Sequence, residues 1–192
     1  ASEPVSAAVA MQAVLEEFNR DQVADGGMGV RIGIGLHSGR VMLGTIGGTE
    51  RLDANVVSDV VNTASRVEGL SKLYGAPLVT SEATLQQSGC DVWETCELDA
   101  VIVKGRARPL RVFEVLAGEP DCEQRARKAA EADAYAEALA AFRAGAIERA
   151  AEGFADLRGY AVAGRLFVDR CAWYRRQGLP EGWDGIVRLE VK

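Results

Sequence analysis

Residues 51–66 read Arg-Leu-Asp-Ala-Asn-Val-Val-Ser-Asp-Val-Val-Asn-Thr-Ala-Ser-Arg, and the fold is decided by how this stretch is placed. Ser58 suits an N-cap and Asp59 puts an acid in the first turn, so a helix is expected from there to about Leu70. On that helix Asn62 and Arg66 lie one turn apart and share a face. Val60, Val61, Ala64 and Val67 form the apolar set expected on the opposite side. An Asn and an Arg presented off the core suit a ribose hydroxyl and a phosphoryl group, because a guanidinium donates several hydrogen bonds from one plane. By spacing alone the pair also reads as an ordinary solvated helix surface.

Upstream, Val30, Ile32, Ile34 and Leu36 alternate with Gly33 and Gly35, which predicts a strand with one glycine face. Such a face lets a helix, a backbone or a ligand come close. Ser38-Gly39-Arg40 reads as a turn and Val41 to Ile46 as a second strand, so residues 30–46 are expected to form a hairpin. Residues 4–19 predict an amphipathic helix with Ala8, Met11, Leu15 and Phe18 as its apolar stripe, widened by Val14.

Downstream, Pro77 to Ser81 reads as a buried strand and 81–87 as a short helical turn. Short strands are expected at 92–98 and 100–104. Leu110 to Val115 is a further strand, with Val112 and Val115 on opposite faces, as expected of a strand covered on both sides. Composition then changes. Ala117-Gly118-Glu119-Pro120 reads as a linker, and 16 of the 38 residues from 126 to 163 are Ala, which favours helix. Gly145 and Gly159 divide that region into helices near 123–144, 146–158 and 162–177. Ala150, Phe154 and Leu157 resemble the second helix of a tetratricopeptide-type hairpin, although stable arrays need about three units. The tail from Gly182 to Leu189 predicts a turn and a short strand folding back.

The 192 residues fit one domain with an appendage. All of the net charge of −6 falls in residues 1–120, with 10 basic against 16 acidic side chains, while residues 121–192 balance at 12 of each. An acidic surface argues against a nucleic-acid backbone as partner but leaves room for a mononucleotide. No apolar run approaches the roughly 18 residues of a membrane helix. The start, Ala1-Ser2-Glu3-Pro4, carries neither a basic segment nor an apolar signal core. Cys90, Cys96, Cys122 and Cys171 follow no zinc spacing, and His37 is the only histidine. Scattered thiols of this kind suit a reducing compartment, and a cytoplasmic location is expected.

Several motifs agree in order with one family: Gly33-Ile34-Gly35-Leu36-His37-Ser38-Gly39, Gly44-Thr45-Ile46-Gly47, Asp53 through Arg66 with Glu68, Tyr74-Gly75-Ala76-Pro77, Ser81-Glu82-Ala83 and Val103-Lys104-Gly105-Arg106. Together they resemble the class III nucleotidyl cyclase catalytic domain over about residues 1–116. The Ala-rich helices and Trp183-Asp184-Gly185 resemble the tail of some bacterial members. The resemblance implies an α+β, ferredoxin-like cyclase fold, incomplete at residues 1–118, followed by a small α-helical hairpin extension at 119–192. It implies that Asn62 orients the ribose and Arg66 stabilises charge on the α-phosphoryl group. Lys104 then holds the terminal phosphates, and Asn55 reads the purine edge.

His37 is expected to support the fold, and Ser58 stands where the family usually has Gly. The family uses two metal ions, Mg2+ or Mn2+, held by two aspartates on a strand and a hairpin ahead of the helix that opens this chain. No residue here matches them, so no metal ligand is expected, and the chain resembles the later part of a cyclase domain. The implied reaction is ATP to cyclic AMP, with GTP the less favoured substrate, at the interface of a homodimer or of a pairing with a second cyclase domain. The competing readings are a non-catalytic nucleotide-binding or regulatory module, and an interaction role for residues 121–192.

Overall fold

Gly33 and Gly35 alternate with Ile34 and Leu36, and the strand they help to form is packed differently on its two sides. The computed structural model describes residues 3–46, 53–57, 59–88, 92–104 and 107–189, with backbone alone for 42–46 and 53–57. Helix α1 (Glu3–Ala24) leads to β1 (Ile34–Leu36), β2 (Met42–Ile46), β3 (Asp53–Val57) and α2 (Asp59–Tyr74). Then come β4 (Leu78–Ser81), α3 (Glu82–Ser88), β5 (Thr95–Val103) and β6 (Leu110–Val115). Helices α4 (Cys122–Arg143), α5 (Ile147–Ala155) and α6 (Ala161–Gln177) precede a last strand, β7 (Val187–Leu189).

The main sheet has the order β1-β4-β6-β5-β7. Strand β1 runs parallel to β4, β6 is antiparallel to both β4 and β5, and β7 is parallel to β5. The hairpin expected from residues 30–46 does not form. Strand β2 instead pairs antiparallel with β3 in a separate two-stranded ribbon, with Met42 opposite Val57 and Ile46 opposite Asp53. Strand β3 was not anticipated, and β1 takes a partner more than forty residues away in sequence. Its glycines explain the choice, because α2 lies so close to β1 that a Cβ on Gly35 would come within 2.1 Å of the Glu68 backbone nitrogen.

The two strands expected at 92–104 are one strand, β5, with a register shift between Glu97 and Asp99. That irregularity leaves Asp99 fully buried, where it accepts hydrogen bonds at 2.6 Å from both Tyr74 Oη and Arg170 Nη1. Strand β6 is covered on both sides, as its valines predicted. Val112 belongs to the main core with α2 and α4–α6, and Val115 packs with Leu78, Val5 and Ala8 of α1.

Only part of the α1 stripe is buried. Ala8 packs inward with Val5, whereas Met11 and Phe18 are about half exposed, at 56% and 48%. The buried side of α1 also carries Gln12, whose amide donates to the Ile32 and Pro77 carbonyls at 3.1 Å each. It thereby satisfies acceptors at the start of the parallel β1–β4 pair. On α2 the buried positions are Thr63, Val67, Leu70, Ser71 and Tyr74, so Val61, placed with the apolar set by its spacing, is instead 47% exposed.

The segment read as a linker is a packed turn. Leu116–Gly118 forms one turn of 3-10 helix, and Leu116, Gly118 and Glu119 are all buried. Asp121 then caps α4 by accepting from the Glu123 and Gln124 backbone amides. Ala150, Phe154 and Leu157 face inward as their spacing suggested, and the rings of Phe154 and Phe167 stack at 4.3 Å. Burying rings of this size stabilises by about 1.5–3 kcal/mol each. Tyr135 donates to the Leu98 carbonyl at 2.9 Å, so α4 is fixed directly to β5.

Candidate functional site

Helix α2 carries the two central residues. Asn62 is exposed and Arg66 half-buried, one turn apart, while Val67 and Leu70 on the other side are fully buried. The helix runs antiparallel to β1. Val60 near its start packs at Gly39, Glu68 lies over Gly35, and Ser71 lies over Gly33. Its N-terminal half therefore sits at the end of the sheet where β1 and β4 finish.

Strand β5 finishes at the same end, because Val101 pairs with Leu110, the first residue of β6, and Ser81, the last of β4, pairs with Val112. Lys104 follows β5 immediately and is exposed. Topology thus brings Asn62, Arg66 and Lys104 to one end of the sheet. Among the described residues, no hydrogen bond or ion pair engages any of the three side chains. Asn55 lies on the β2–β3 ribbon opposite Gly44, and its side chain is outside the described residues, as is Ser58. His37 is tied to the end of β4, where its Nδ1 is 2.8 Å from Ser81 Oγ.

The close approach of α2 to β1 gives a first test. Gly35→Ala forces α2 outward, because the atom in the way is backbone and cannot rotate aside. Thermal unfolding is expected to show a loss of about 1–3 kcal/mol. An unchanged melting temperature would contradict the packing described.

Two buried charge clusters hold the other end of α2, and sequence reading missed both. Lys128 of α4 is 2% exposed and donates to Glu114 of β6 at 2.6 Å, to Glu119 at 2.8 Å and to the Gly75 carbonyl just past α2 at 3.3 Å. The second cluster joins Tyr74, Asp99 and Arg170, on α2, β5 and α6. A clue to the first was available: Glu114 shares a face with Val112, and an acid on an apolar strand face calls for a buried partner.

Burial pushes the Glu114 carboxyl up to about 7, with Lys128 pulling it down and Glu119 raising it further. The folded chain therefore keeps a proton on Glu114 across a window from about 4.5 to about 7 that an unfolded Glu releases. Stability contributed by this group is full below that window and is lost as pH rises through it. Melting temperatures measured from pH 5 to pH 8 are expected to fall more steeply in the wild type than in Glu114→Gln. Parallel curves would refute the assignment.

A groove of about 830 Å³ lies between α1 and α2, lined by Gln12, Asn19, Gly33 and Lys72 among others. It is at the opposite end of β1, and Asn62, Arg66 and Lys104 do not line it. Among the described residues no group of three or more His, Cys, Asp or Glu side chains is placed to hold a metal ion. Among them, too, no helix is long and apolar enough to cross a membrane.

Comparison with known proteins adds to this geometry. The family model for the adenylate and guanylate cyclase catalytic domain matches residues 1–116. An adenylate cyclase of Anabaena cylindrica is 37% identical over 117 residues, which cover 58% of this chain and 23% of that protein. Adenylate cyclase 1 of Rhizobium meliloti is 37% identical over 109 residues, 57% of this chain and 16% of that protein. Among solved structures, the adenylyl cyclase CyaB from P. aeruginosa superposes with a TM-score of 0.51 at 26% identity, over 58% of this chain and 56% of that one. The chain thus spans less than a quarter of either curated relative.

Proposed function

Because the chain belongs to the adenylate and guanylate cyclase catalytic domain family, we propose that it supplies the ribose- and phosphate-binding side of a site that converts ATP to 3′,5′-cyclic AMP and pyrophosphate. The observation that carries this reading is the placement of Asn62 and Arg66 one turn apart on α2, with Lys104 at the same end of the sheet.

In the reaction the ribose 3′-oxygen forms a bond to the α-phosphorus, the bond from that phosphorus to the bridging oxygen breaks, pyrophosphate leaves, and the proton of the 3′-hydroxyl passes to solvent water. Asn62 orients the ribose, so that the 3′-oxygen approaches in line. Arg66 stabilises the charge that builds on the α-phosphoryl oxygens. Lys104 holds the terminal phosphates as a flexible point charge. Asn55 reads the purine, where an amide both donates and accepts and so serves adenine or guanine. ATP is favoured over GTP because both curated relatives are adenylate cyclases.

Divalent ions, Mg2+ or Mn2+, serve this family as Lewis acids on the phosphates. The described residues offer no fitting ligand set, so no step is assigned to a metal held by this chain. The site is completed by a second cyclase domain, in a homodimer or a mixed pair; no residue of these 192 matches the metal-binding aspartates, so those carboxylates come from outside this stretch of chain. Residues 1–118 form the cyclase portion and 119–192 its extension, and the three free thiols described, Cys96, Cys122 and Cys171, suit the cytoplasm.

The second reading, a non-catalytic partner that binds nucleotide and regulates another cyclase chain, draws on the same lack of a metal-ligand cluster among the described residues. Incubating the protein with Mg2+, with ATP or GTP, and with a cyclase domain that carries the metal-binding carboxylates but lacks its own Asn and Arg separates the two. Cyclic AMP formed in excess over cyclic GMP is expected. Nucleotide binding without either product would favour the regulatory reading.

A further inference from the structure

The ladder between β5 and β6 stops at the pair Val101–Leu110. Strand β5 continues for two more residues, Ile102 and Val103, and Lys104 follows at once. Among the described residues those two find strand partners only in β7, where Ile102 pairs with Arg188 and Val103 with Leu189. The root of Lys104 is therefore held, on its strand side, by the last turn of chain in the structure.

Strand β7 is itself firmly registered. Trp183 donates from Nε1 to the Phe142 carbonyl at 3.0 Å, and its ring lies 4.6 Å from Tyr174 and 5.3 Å from Phe142. Asp184 then accepts from the Ile186 backbone amide at 3.0 Å, closing an Asx-type turn. Gly185, at φ +76°, passes so close to Arg143 of α4 that a Cβ there would lie 2.7 Å from the Arg143 Cα. Val187 and Leu189 turn inward onto the main core while Arg188 is exposed. An anchor, a turn and a two-sided strand thus deliver β7 to the outer edge of β5.

We propose that β7 is a positioning strand for the nucleotide site: by pairing with Ile102 and Val103 it fixes the direction in which Lys104 meets the terminal phosphates. The proposal rests on the reading of Lys104 as a phosphate contact. Its physical basis is preorganisation, since a long cationic side chain on an unpaired strand end must be ordered at the moment of binding. A parallel edge strand joined through three helices also ties that direction to the extension rather than to the β5–β6 hairpin alone.

The test is a double-mutant cycle on the full chain, with ATP as the probe and calorimetric affinity as the readout. The variants are Lys104→Ala, a deletion of residues 186–192 and their combination. The deletion spares Trp183 and the aromatic core, and Arg188→Pro serves as a second way to disrupt β7. Each single change is expected to weaken ATP binding by about five- to tenfold, and the combination to be no weaker than Lys104→Ala alone. Amide exchange at residues 101–104 is expected to rise with the deletion while exchange in α5 and α6 stays as in the parent.

An affinity that falls with Lys104→Ala but not with the deletion or Arg188→Pro overturns the role of β7 and leaves the nucleotide reading standing. Fully additive losses overturn it too, because they mark β7 as a general brace. Lys104→Ala binding ATP as well as the parent, or no ATP binding by the parent, removes the nucleotide role of Lys104 and the proposal with it.

Discussion

Arg66→Ala is expected to lower the rate of cyclic AMP formation by ~10²–10³-fold, as loss of one preorganised group facing developing charge commonly does. Nucleotide affinity is expected to change little. In the proposed site Asn62, Lys104 and the purine contact remain, and the role proposed for Arg66 is strongest on charge that appears only as pyrophosphate departs. The half-buried position of Arg66 on a helix whose other side is locked into the core suits this role. Steady-state kinetics on the intact protein decide the matter. A fall in turnover with KM nearly constant fits the assignment, whereas a raised KM with turnover preserved makes Arg66 a ground-state contact instead.

Lys128→Ala is the second large effect, and it falls on stability. The ammonium stands alone against two carboxylates at a place where all three are almost fully enclosed. Removing it leaves Glu114 and Glu119 facing each other without a cation and strands the Gly75 carbonyl. Breaking a buried pair in this way costs about 3–5 kcal/mol, a large share of the roughly 5–15 kcal/mol that holds a domain together. The melting temperature is expected to fall by about 6–20 °C. Glu114 already leans toward its neutral form, so Lys128→Met combined with Glu114→Gln is expected to recover part of the loss. A fall of only a degree or two for Lys128→Ala would show that water reaches the cluster.

These two effects meet on α2. Its N-terminal half presents Asn62 and Arg66, and its C-terminal end is held by Lys128 at Gly75 and by Arg170 through Asp99 and Tyr74. Residues from both the cyclase portion and the extension share one core, from Val67 and Leu70 through Val112 to Phe142 and Phe167. The extension is thus packed against the helix that bears the proposed chemistry.

Local pattern carried much of this. Asp59 in a first turn and the 3.6-residue period placed α2, and the Ala-rich composition with its glycine breaks placed α4, α5 and α6 within a few residues. The glycine face of β1 announced a close neighbour, which is α2. Long-range choices were not legible. Nothing in residues 30–46 reveals that β1 pairs with β4 while β2 turns to β3, because strand pairing depends on surfaces assembled later. Periodicity on α1 showed which residues share a face, not what covers them, and Met11 and Phe18 proved to be exposed.

Lys128 sits beside Arg125 and Arg127 in sequence, where it reads as one more solvated cation. Only the placement of β6 and the packed turn at 116–119 reveals its two partners. The site residues came from motif resemblance rather than from physics, since Asn62 and Arg66 alone match any polar helix surface. The structure adds that Lys104, forty residues away, reaches the same end of the sheet.

The most direct measurement is cyclic AMP production from ATP and Mg2+ by the protein mixed with a cyclase domain that carries the metal-binding carboxylates but lacks its own Asn and Arg, compared side by side with Asn62→Ala and Arg66→Ala at equal folded concentration. Cyclic AMP formed by the parent and reduced at least a hundredfold (~10²) by Arg66→Ala is the predicted result. Equal product from parent and Arg66→Ala, or no cyclic nucleotide from either ATP or GTP, would contradict the catalytic role proposed for this chain.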